Sequence, residues 1–270
     1  MRWLLKAAAQ NIFSVLPGGR RINRVFQGDV VARLVPGHIE HLRKLERVLT
    51  NEMRTAVEIG TGWCPTIPLG LTERGISVHT YDRFPYVTEE AIAASQSAVG
   101  GDWSKVHYHA PGDATATGLR DNSVDLSFSI AVFEHIPYET LRDMLRETYR
   151  ILRPGGIVYH EIDLRDYFAE FDSSITTVNF LKSGNEAWRW IGQNDIHYHN
   201  RLRASDFRAL FRDFELFAFE ARTDERASEA LKRLRVAARF KDYELADLAV
   251  SVIVVVARKP ETLPLHLPVT

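Results

Sequence analysis

The stretch that decides the fold is Val57-Glu58-Ile59-Gly60-Thr61-Gly62-Trp63-Cys64-Pro65. A short apolar run ends here in two glycines, and glycines let a backbone turn tightly and approach a ligand closely. Asp82 follows Gly60 by 22 residues, at the end of the next β-branched run. An acid at that place can accept hydrogen bonds from both ribose hydroxyls of an adenosine moiety. The two features together predict a sheet that binds an adenosine-containing cofactor.

Short apolar runs alternate with helical segments beyond this stretch. The predicted strands are Ala56–Ile59, Ser77–Tyr81, Val106–Tyr108, Val124–Ser129 and Ile157–His160. The predicted helices between them cover 65–74, 88–99 and 138–152. Alternation of this kind predicts a mostly parallel sheet with helices on both faces. The fold class is therefore α/β.

The C-terminal part has a different pattern. It predicts a helix over Arg203–Phe211 capped by Ser205, a strand over Glu215–Glu220, a basic amphipathic helix over Glu225–Tyr243 and an apolar strand over Leu248–Ala257. The basic helix is interpreted as a solvated face, with phosphate or nucleic-acid binding as the less favoured alternative.

Three further motifs follow the glycine turn in order. They are Gly112-Asp113-Ala114, the stretch Phe128-Ser129-Ile130-Ala131-Val132-Phe133-Glu134-His135-Ile136, and Leu152-Arg153-Pro154-Gly155-Gly156. With the glycine turn and Asp82, the sequence resembles the class I S-adenosylmethionine-dependent methyltransferases, of the small-molecule, methyltransferase-11-like type. The resemblance is good over residues 50 to 162 and looser up to 257. It implies a Rossmann-like seven-stranded sheet with an antiparallel last strand pair, and S-adenosyl-L-methionine rather than a nicotinamide as cofactor.

The resemblance also implies a set of cofactor-binding residues. These are Glu58, Gly60, Thr61, Gly62, Asp82, Arg83, Asp113, Ala114, Ser129, Ile130 and Phe133. The family often has a third glycine where this chain has Cys64, and Trp63 is bulky for such a loop.

Glu134 and His135 are the candidate catalytic residues, because they follow the fourth strand at the ligand-binding edge. A histidine with an ordinary pKa near 6.5 suits a general base at neutral pH. A base is needed only if the nucleophile must lose a proton. The alternative is that His135 merely caps or packs the helix that follows it.

Residues 163 to 202 fit no regular strand–helix unit, and an irregular stretch of this length is usually functional. We expect it to form a lid that binds the acceptor, although a surface excursion with its own small core is the alternative. Two histidines two residues apart, His197 and His199, make a poor metal signature, so no metal is expected. The predicted acceptor contacts are His160, Trp188, Tyr198, His199 and Arg201.

The predicted organisation is an N-terminal helical extension (1–50), the methyltransferase domain (51–259) with its insertion, and a Pro-rich tail (260–270). Residues 1 to 16 are apolar and basic. We expect a helix packed on the domain, and the alternative is an interfacial helix in peripheral contact with a membrane or a lipid-linked substrate. The interruptions at Lys6, Gln10 and Asn11 argue against a signal peptide.

Composition and charge limit the classes of function that the sequence favours. The formal net charge is −1, so no global field favours nucleic acid. The single cysteine fits a reducing, cytoplasmic compartment. We expect methylation of a small molecule, a sugar or a lipid-linked saccharide, on oxygen. A non-catalytic cofactor-binding partner subunit is the first alternative. A nucleic-acid methyltransferase is the second, although the Asn/Asp-Pro-Pro-aromatic signature is missing after the fourth strand. The oligomeric state is left open.

Overall fold

The computed structural model describes residues 2–19, 29–194 and 196–261. Its strands are β1 (Thr55–Ile59), β2 (Ser77–Tyr81), β3 (Val106–His109), β4 (Val124–Ile130), β5 (Leu152–Asp163), β6 (Glu215–Thr223) and β7 (Val250–Arg258). Together they form one sheet in the order β3-β2-β1-β4-β5-β7-β6. Strands β1 to β5 pair in parallel, and β7 runs antiparallel to both β5 and β6. The Rossmann-like fold predicted from the sequence is confirmed.

Helices connect the strands or flank the sheet. They are α1 (Arg2–Val15), α2 (Val30–Leu45), α3 (Thr66–Thr72), α4 (Glu89–Val99), α5 (Tyr138–Ile151), α6 (Asn185–Gly192), α7 (Ala204–Leu210), α8 (Glu225–Leu231) and α9 (Leu245–Leu248). Short 3₁₀ turns lie at Glu46–Val48, Trp103–Lys105, Phe133–His135, Tyr167–Glu170, Asn179–Lys182 and Ala238–Phe240. Within the described residues, none of these helices is long and apolar enough to cross a membrane.

The middle of the sheet is buried from both sides. Six of the seven residues of β4 are buried, and so are four of the five residues of β1. Continuous burial of this kind is typical of a parallel sheet covered on both faces. In β4 it includes the polar residues Asp125, Ser127 and Ser129, which alternate with apolar ones.

The segment predicted as an N-terminal extension is packed into two separate cores. Leu42 and Leu45 of α2 lie in the same buried cluster as Phe128 of β4. Ala7 of α1 belongs to another cluster, which it shares with Trp188 and other residues of the 163–202 insertion. Helix α2 is thus part of the sheet domain, whereas α1 packs on the insertion. The parts of the extension at residues 20–28, and the tail from 262 onward, lie outside the described residues.

Two details of the C-terminal prediction were wrong. The helix expected over Glu225–Tyr243 ends at Leu231, and a 3₁₀ turn at Ala238–Phe240 follows. Ser205 is not the cap of α7, because its hydroxyl pairs with Asp247. Helix α7 starts at Ala204 and its N-cap residue is Arg203, whose backbone N–H donates to the carboxylate of Asp206 at 2.8 Å.

Arg203 joins the insertion to the sheet. Its guanidinium is fully buried and donates to the carbonyl oxygens of Leu164 (3.1 Å), Leu248 (3.2 Å) and Val250 (2.5 Å). Burial lowers the pKa of Arg203 to about 10, so the group stays charged at neutral pH. Three carbonyl groups, from the ends of β5, α9 and β7, depend on this one side chain.

Replacing Arg203 with leucine should lower the free energy of unfolding by roughly 2–4 kcal/mol, because buried carbonyl groups lose their donors. Urea unfolding followed by circular dichroism measures the change. The matched control is Arg208→Leu on the exposed side of α7, which should cost about 0.5 kcal/mol or less. Equal losses for both variants would contradict the assigned role.

Candidate functional site

The glycine turn after β1 is held at the carboxyl edge of the sheet. Gly60 (φ 78°) donates its backbone N–H to Tyr81 at 2.8 Å, and Gly62 (φ 64°) donates to Oδ2 of Asp82 at 2.7 Å. A Cβ atom on Gly60 would lie 2.7 Å from Cγ2 of Val132, while a Cβ atom on Gly62 would meet open space. The turn is therefore closed by Val132 on one side and open at Gly62.

Two buried carboxyl groups flank this turn. Glu58 accepts a hydrogen bond from the Thr61 hydroxyl at 2.7 Å, and its burial raises its pKa to about 8. Burial also raises the pKa of Asp82, which accepts hydrogen bonds from the backbone N–H groups of Gly62 and Phe84. Carboxyl groups set beside a glycine turn can accept hydroxyl and ammonium donors of a ligand.

The remaining residues of this edge are more exposed. Asp113 is exposed, and its carboxylate accepts hydrogen bonds from the backbone N–H (2.8 Å) and hydroxyl (2.6 Å) of Thr115. Ala114 is buried beside it, and the guanidinium of the exposed Arg83 lies 5.1 Å from the ring centroid of Phe84. Ile130 is half-buried at the end of β4. The structure brings these residues to the same edge as Gly60.

Three predicted site residues are packed beneath the edge instead. Ser129, Phe133 and His160 are each fully buried. The Ser129 hydroxyl lies 2.8 Å from Nδ1 of His160, and the His160 ring stacks on Phe133 with centroids 4.3 Å apart. Burial lowers the pKa of His160 to about 3, so the ring is neutral. Their side chains are packed in the core of this structure, and their contact with a ligand stays a prediction.

The candidate base stands on the turn that follows β4. Nδ1 of His135 lies 2.7 Å from the carbonyl oxygen of Tyr198, and its Nε2 lies 3.9 Å from Oε1 of Glu134. The surrounding protein lowers the pKa of His135, while 40% of its side chain stays exposed. Glu134 is buried, and the loss of solvent raises its pKa well above the ordinary value. Loss of solvent thus favours the neutral imidazole of His135 and the protonated carboxyl group of Glu134.

Asn200 ties the insertion to this turn. Its backbone N–H donates to Glu134 (2.9 Å), and its side-chain amide donates to the carbonyl oxygens of Phe133 (2.7 Å) and Ile136 (2.8 Å). From the sequence, Asn200 is expected beside Arg201 as a hydrogen-bonding group of the acceptor pocket. The structure turns its amide to the backbone of the turn that carries His135.

The predicted acceptor contacts divide between the surface and the insertion's own core. Trp188 is buried and donates its indole N–H to the carbonyl oxygen of His199 at 2.9 Å. His199 and Arg201 are also buried, and Arg201 donates to the carbonyl oxygen of Ser183 at 2.6 Å. Tyr198 is half-buried. The small core expected under the alternative interpretation therefore exists, and it includes three of the five predicted contacts.

Helix α2 covers the glycine turn from the other side. His38 makes a hydrogen bond with the backbone of Cys64, and burial lowers the pKa of His38 to about 4. Nδ1 of His41 lies 3.0 Å from Oε2 of Glu161 at the end of β5. Cys64 is buried. The ring of Trp63 packs against the ring of Tyr86, with centroids 4.5 Å apart. The residues that replace the family's third glycine thus pack without blocking Gly62.

Comparison with known proteins agrees with this arrangement. The family model described as "Methyltransferase domain" matches residues 57–160. No curated protein matches the sequence at a significant level. Among solved structures, an S-adenosylmethionine-dependent methyltransferase described as putative, from Listeria monocytogenes, aligns with a TM-score of 0.51 and 12% identity, over 84% of this chain and 98% of that one. Phosphoethanolamine N-methyltransferase 2 of Haemonchus contortus, in complex with phosphomonomethylethanolamine and S-adenosylhomocysteine, aligns with a TM-score of 0.51 and 18% identity, over 82% of this chain and 52% of that one. At these identities the structures show a shared fold.

Replacing Asp82 with alanine should weaken binding of S-adenosylmethionine by about tenfold to a hundredfold, because a hydrogen bond to a charged group is worth about 1.5–3 kcal/mol. Isothermal titration calorimetry measures the affinity. The control is Asp102→Ala, an exposed carboxylate near the start of β3 that binds Ser104. Unchanged affinity in a folded Asp82→Ala protein would place the ribose elsewhere.

The two glycines of the turn should respond differently to alanine. Gly60→Ala drives a Cβ atom into Val132, whereas Gly62→Ala adds only the strain of a positive φ, about 1–2 kcal/mol. Gly60→Ala should therefore lower the melting temperature more and reduce cofactor binding further. Differential scanning calorimetry with and without S-adenosylhomocysteine compares them. The same loss in both variants would mean that Val132 does not close the turn.

Proposed function

We propose that the chain, whose residues 57–160 match a methyltransferase-domain family model, is a class I S-adenosylmethionine-dependent methyltransferase that methylates a hydroxyl oxygen of a small polar molecule, a sugar or a lipid-linked saccharide. The observation that carries the proposal is the His135 imidazole, whose Nδ1 is paired with the Tyr198 carbonyl oxygen while part of the ring remains exposed. A hydroxyl nucleophile needs a base of this kind, because it must lose a proton when it is methylated.

The residues at the glycine turn fit the cofactor. Gly62 leaves open space where any other residue would place a Cβ atom, and Glu58 and Asp82 supply carboxyl oxygens on either side. Asp82 would hold the ribose hydroxyls, and Glu58 and Gly60 would adjoin the methionine portion. S-adenosylmethionine supplies an activated methyl group on its sulfonium when it is bound. The task left to the protein is to align the acceptor, exclude water and remove a proton.

Hydrogen bonding decides which nitrogen of His135 can act. A carbonyl oxygen only accepts, so Nδ1 of His135 must carry the proton that it shares with Tyr198. In a neutral imidazole the lone pair then lies on Nε2, which is the atom able to take a proton from a hydroxyl group. The backbone carbonyl group of Tyr198 thus fixes the tautomer of His135, and the Tyr198 side chain takes no part in this.

Glu134 would lie beside this base and would not act as a second base. Burial and the nearby Asp163 both raise its pKa, which disfavours the charged carboxylate. A carboxyl group with this bias, 3.9 Å from Nε2, gives the charged form of His135 little stabilisation. This arrangement keeps the imidazole basic and available.

The acceptor would enter beside the insertion. Tyr167 stacks on His197 with ring centroids 4.1 Å apart, and His197 lies 5.9 Å from His135 by the same measure. Half-buried Tyr198 stands next to them. Aromatic surface combined with polar ring atoms is typical of sites for small polar ligands. The Haemonchus protein of the same fold has a small polar acceptor in its complex, which supports a small acceptor without naming it.

Replacing His135 with glutamine should reduce kcat by about 10²- to 10⁴-fold, the usual contribution of general-base catalysis. The affinity for S-adenosylmethionine should stay within about twofold, because His135 is not placed at the cofactor. Radiolabelled methyl transfer to a panel of sugars, lipid-linked saccharides and matched amines measures turnover and identifies the acceptor atom. His107→Gln, an exposed histidine on β3, is the control.

The pH profile tests the same assignment independently. The base works only when neutral, and the pKa of His135 is below 6.5. Activity of the wild type should therefore hold at pH 6.5 and fall only at lower pH, where the ring becomes protonated. A loss of activity that sets in above pH 7 as the pH is lowered would contradict the assignment. Tight cofactor binding with no transfer to any acceptor would instead favour a non-catalytic partner subunit.

A further inference from the structure

Helix α1 also has apolar side chains on the face that points away from its own domain. The face toward the insertion includes Ala7 and the buried polar Gln10. The opposite face presents Leu5 and Ile12, which are 73% and 57% exposed. Positions seven residues apart fall on one side of a helix, so these two side chains form one stripe. Leu16, one residue beyond the end of the helix, is 46% exposed. Water contact of this extent is unfavourable for these three aliphatic side chains.

The stripe is part of a larger apolar patch. Of the nine exposed large apolar side chains in the described residues, four lie between Leu5 and Leu16. Two more touch α1. Trp190 is 52% exposed and its carbonyl oxygen accepts the side-chain amide of Asn11, and Phe171 is 45% exposed beneath the ammonium of Lys6. Exposed apolar surface concentrated in this way marks an interaction site.

The part of the sequence that carries α1 has charge of one sign. Residues 1–28 contain five arginines and lysines and no aspartate or glutamate, although the whole protein has a net charge of −1. Helix α1 itself carries Arg2 and Lys6, the other three lie outside the described residues, and Arg189 adds an exposed cation next to Trp190. Acidic residues on the segments that pack against α1 include Glu170, Asp172 and Glu186. Two copies of this patch would repel each other, whereas an anionic surface would attract it.

We propose that α1, with Phe171 and Trp190, docks on the surface of a bilayer containing anionic lipid. The helix would lie in the plane of the interface with Leu5, Ile12 and Leu16 among the acyl chains and the cations at the headgroups. Apolar burial and attraction to anionic lipid act together in such interfacial helices. The inference is independent of the proposed reaction, since it rests on α1 and on no residue of the cofactor or base site.

Vesicle co-sedimentation of the full chain tests the proposal. With phosphatidylcholine vesicles containing about 30 mol% phosphatidylglycerol, the wild-type protein should sediment, and pure phosphatidylcholine or high salt should release it. The double variant Leu5→Glu/Ile12→Glu should bind the anionic vesicles more weakly, by a factor on the order of ten or more. The matched control is Leu245→Glu/Phe217→Glu, which changes two equally exposed apolar residues away from α1 (63% and 57%) and should bind like wild type.

Calorimetric binding of S-adenosylmethionine to each variant shows whether the sheet domain is folded, and it separates this proposal from the proposed function. Failure of the wild type to bind anionic vesicles would overturn the proposal. So would equal binding by the Leu5→Glu/Ile12→Glu variant and the control. A wild-type dimer in analytical ultracentrifugation that becomes monomeric in this variant would also overturn it, because the face would then be covered by a second copy.

Discussion

Parallel pairing of β1 with β2 and β4 is the constraint on which the site depends. It brings the carboxyl ends of three strands to one edge, so that the Gly60 turn, Asp82 and the turn with His135 meet although they are far apart in sequence. The hydrogen bond from Gly62 to Asp82 joins two of these loops directly. Because these strands are buried on both faces, the edge extends from the centre of the sheet.

The insertion adds a second level of organisation. Asn200 satisfies three carbonyl groups around the Phe133–His135 turn, and Tyr198 fixes the tautomer of His135. Under the proposed function the insertion would support the base through these contacts. Trp188 lies in a separate buried cluster of the insertion. The small core expected under one interpretation is thus present, and binding of the acceptor by the insertion stays a prediction.

The sequence predicted most of the fold and the meeting of Gly60, Gly62 and Asp82 at one edge, while the ligand contacts assigned from it stay predictions. The parallel strands and the Gly60–Asp82 relation follow from motifs that are local in sequence and tied to backbone geometry, and the antiparallel last pair followed from the family resemblance. The full burial of Ser129 and His160 was not foreseen, because a one-residue step along a strand reverses the face, and that face depends on packing. The helix expected to reach Tyr243 was too long, because helical periodicity continues in the sequence past Leu231, where the helix ends. The contacts of Asn200 could not be predicted, because its partners are 64 to 67 residues away.

Helix α1 and the insertion pack together, and this packing affects how an acceptor could reach His135. Trp3 donates its backbone N–H to Asp172, and the Trp3 ring lies 5.8 Å from the ring of Phe168, which also contacts His197 at 5.3 Å by centroids. A chain of packed rings thus runs from the underside of α1 to the neighbour of His135. If the outer face of α1 rests on a bilayer, this unit lies between the lipid and the ligand edge of the sheet. A lipid-linked acceptor would then have a short route to Nε2 of His135, whereas a freely diffusing sugar would gain nothing from the membrane contact.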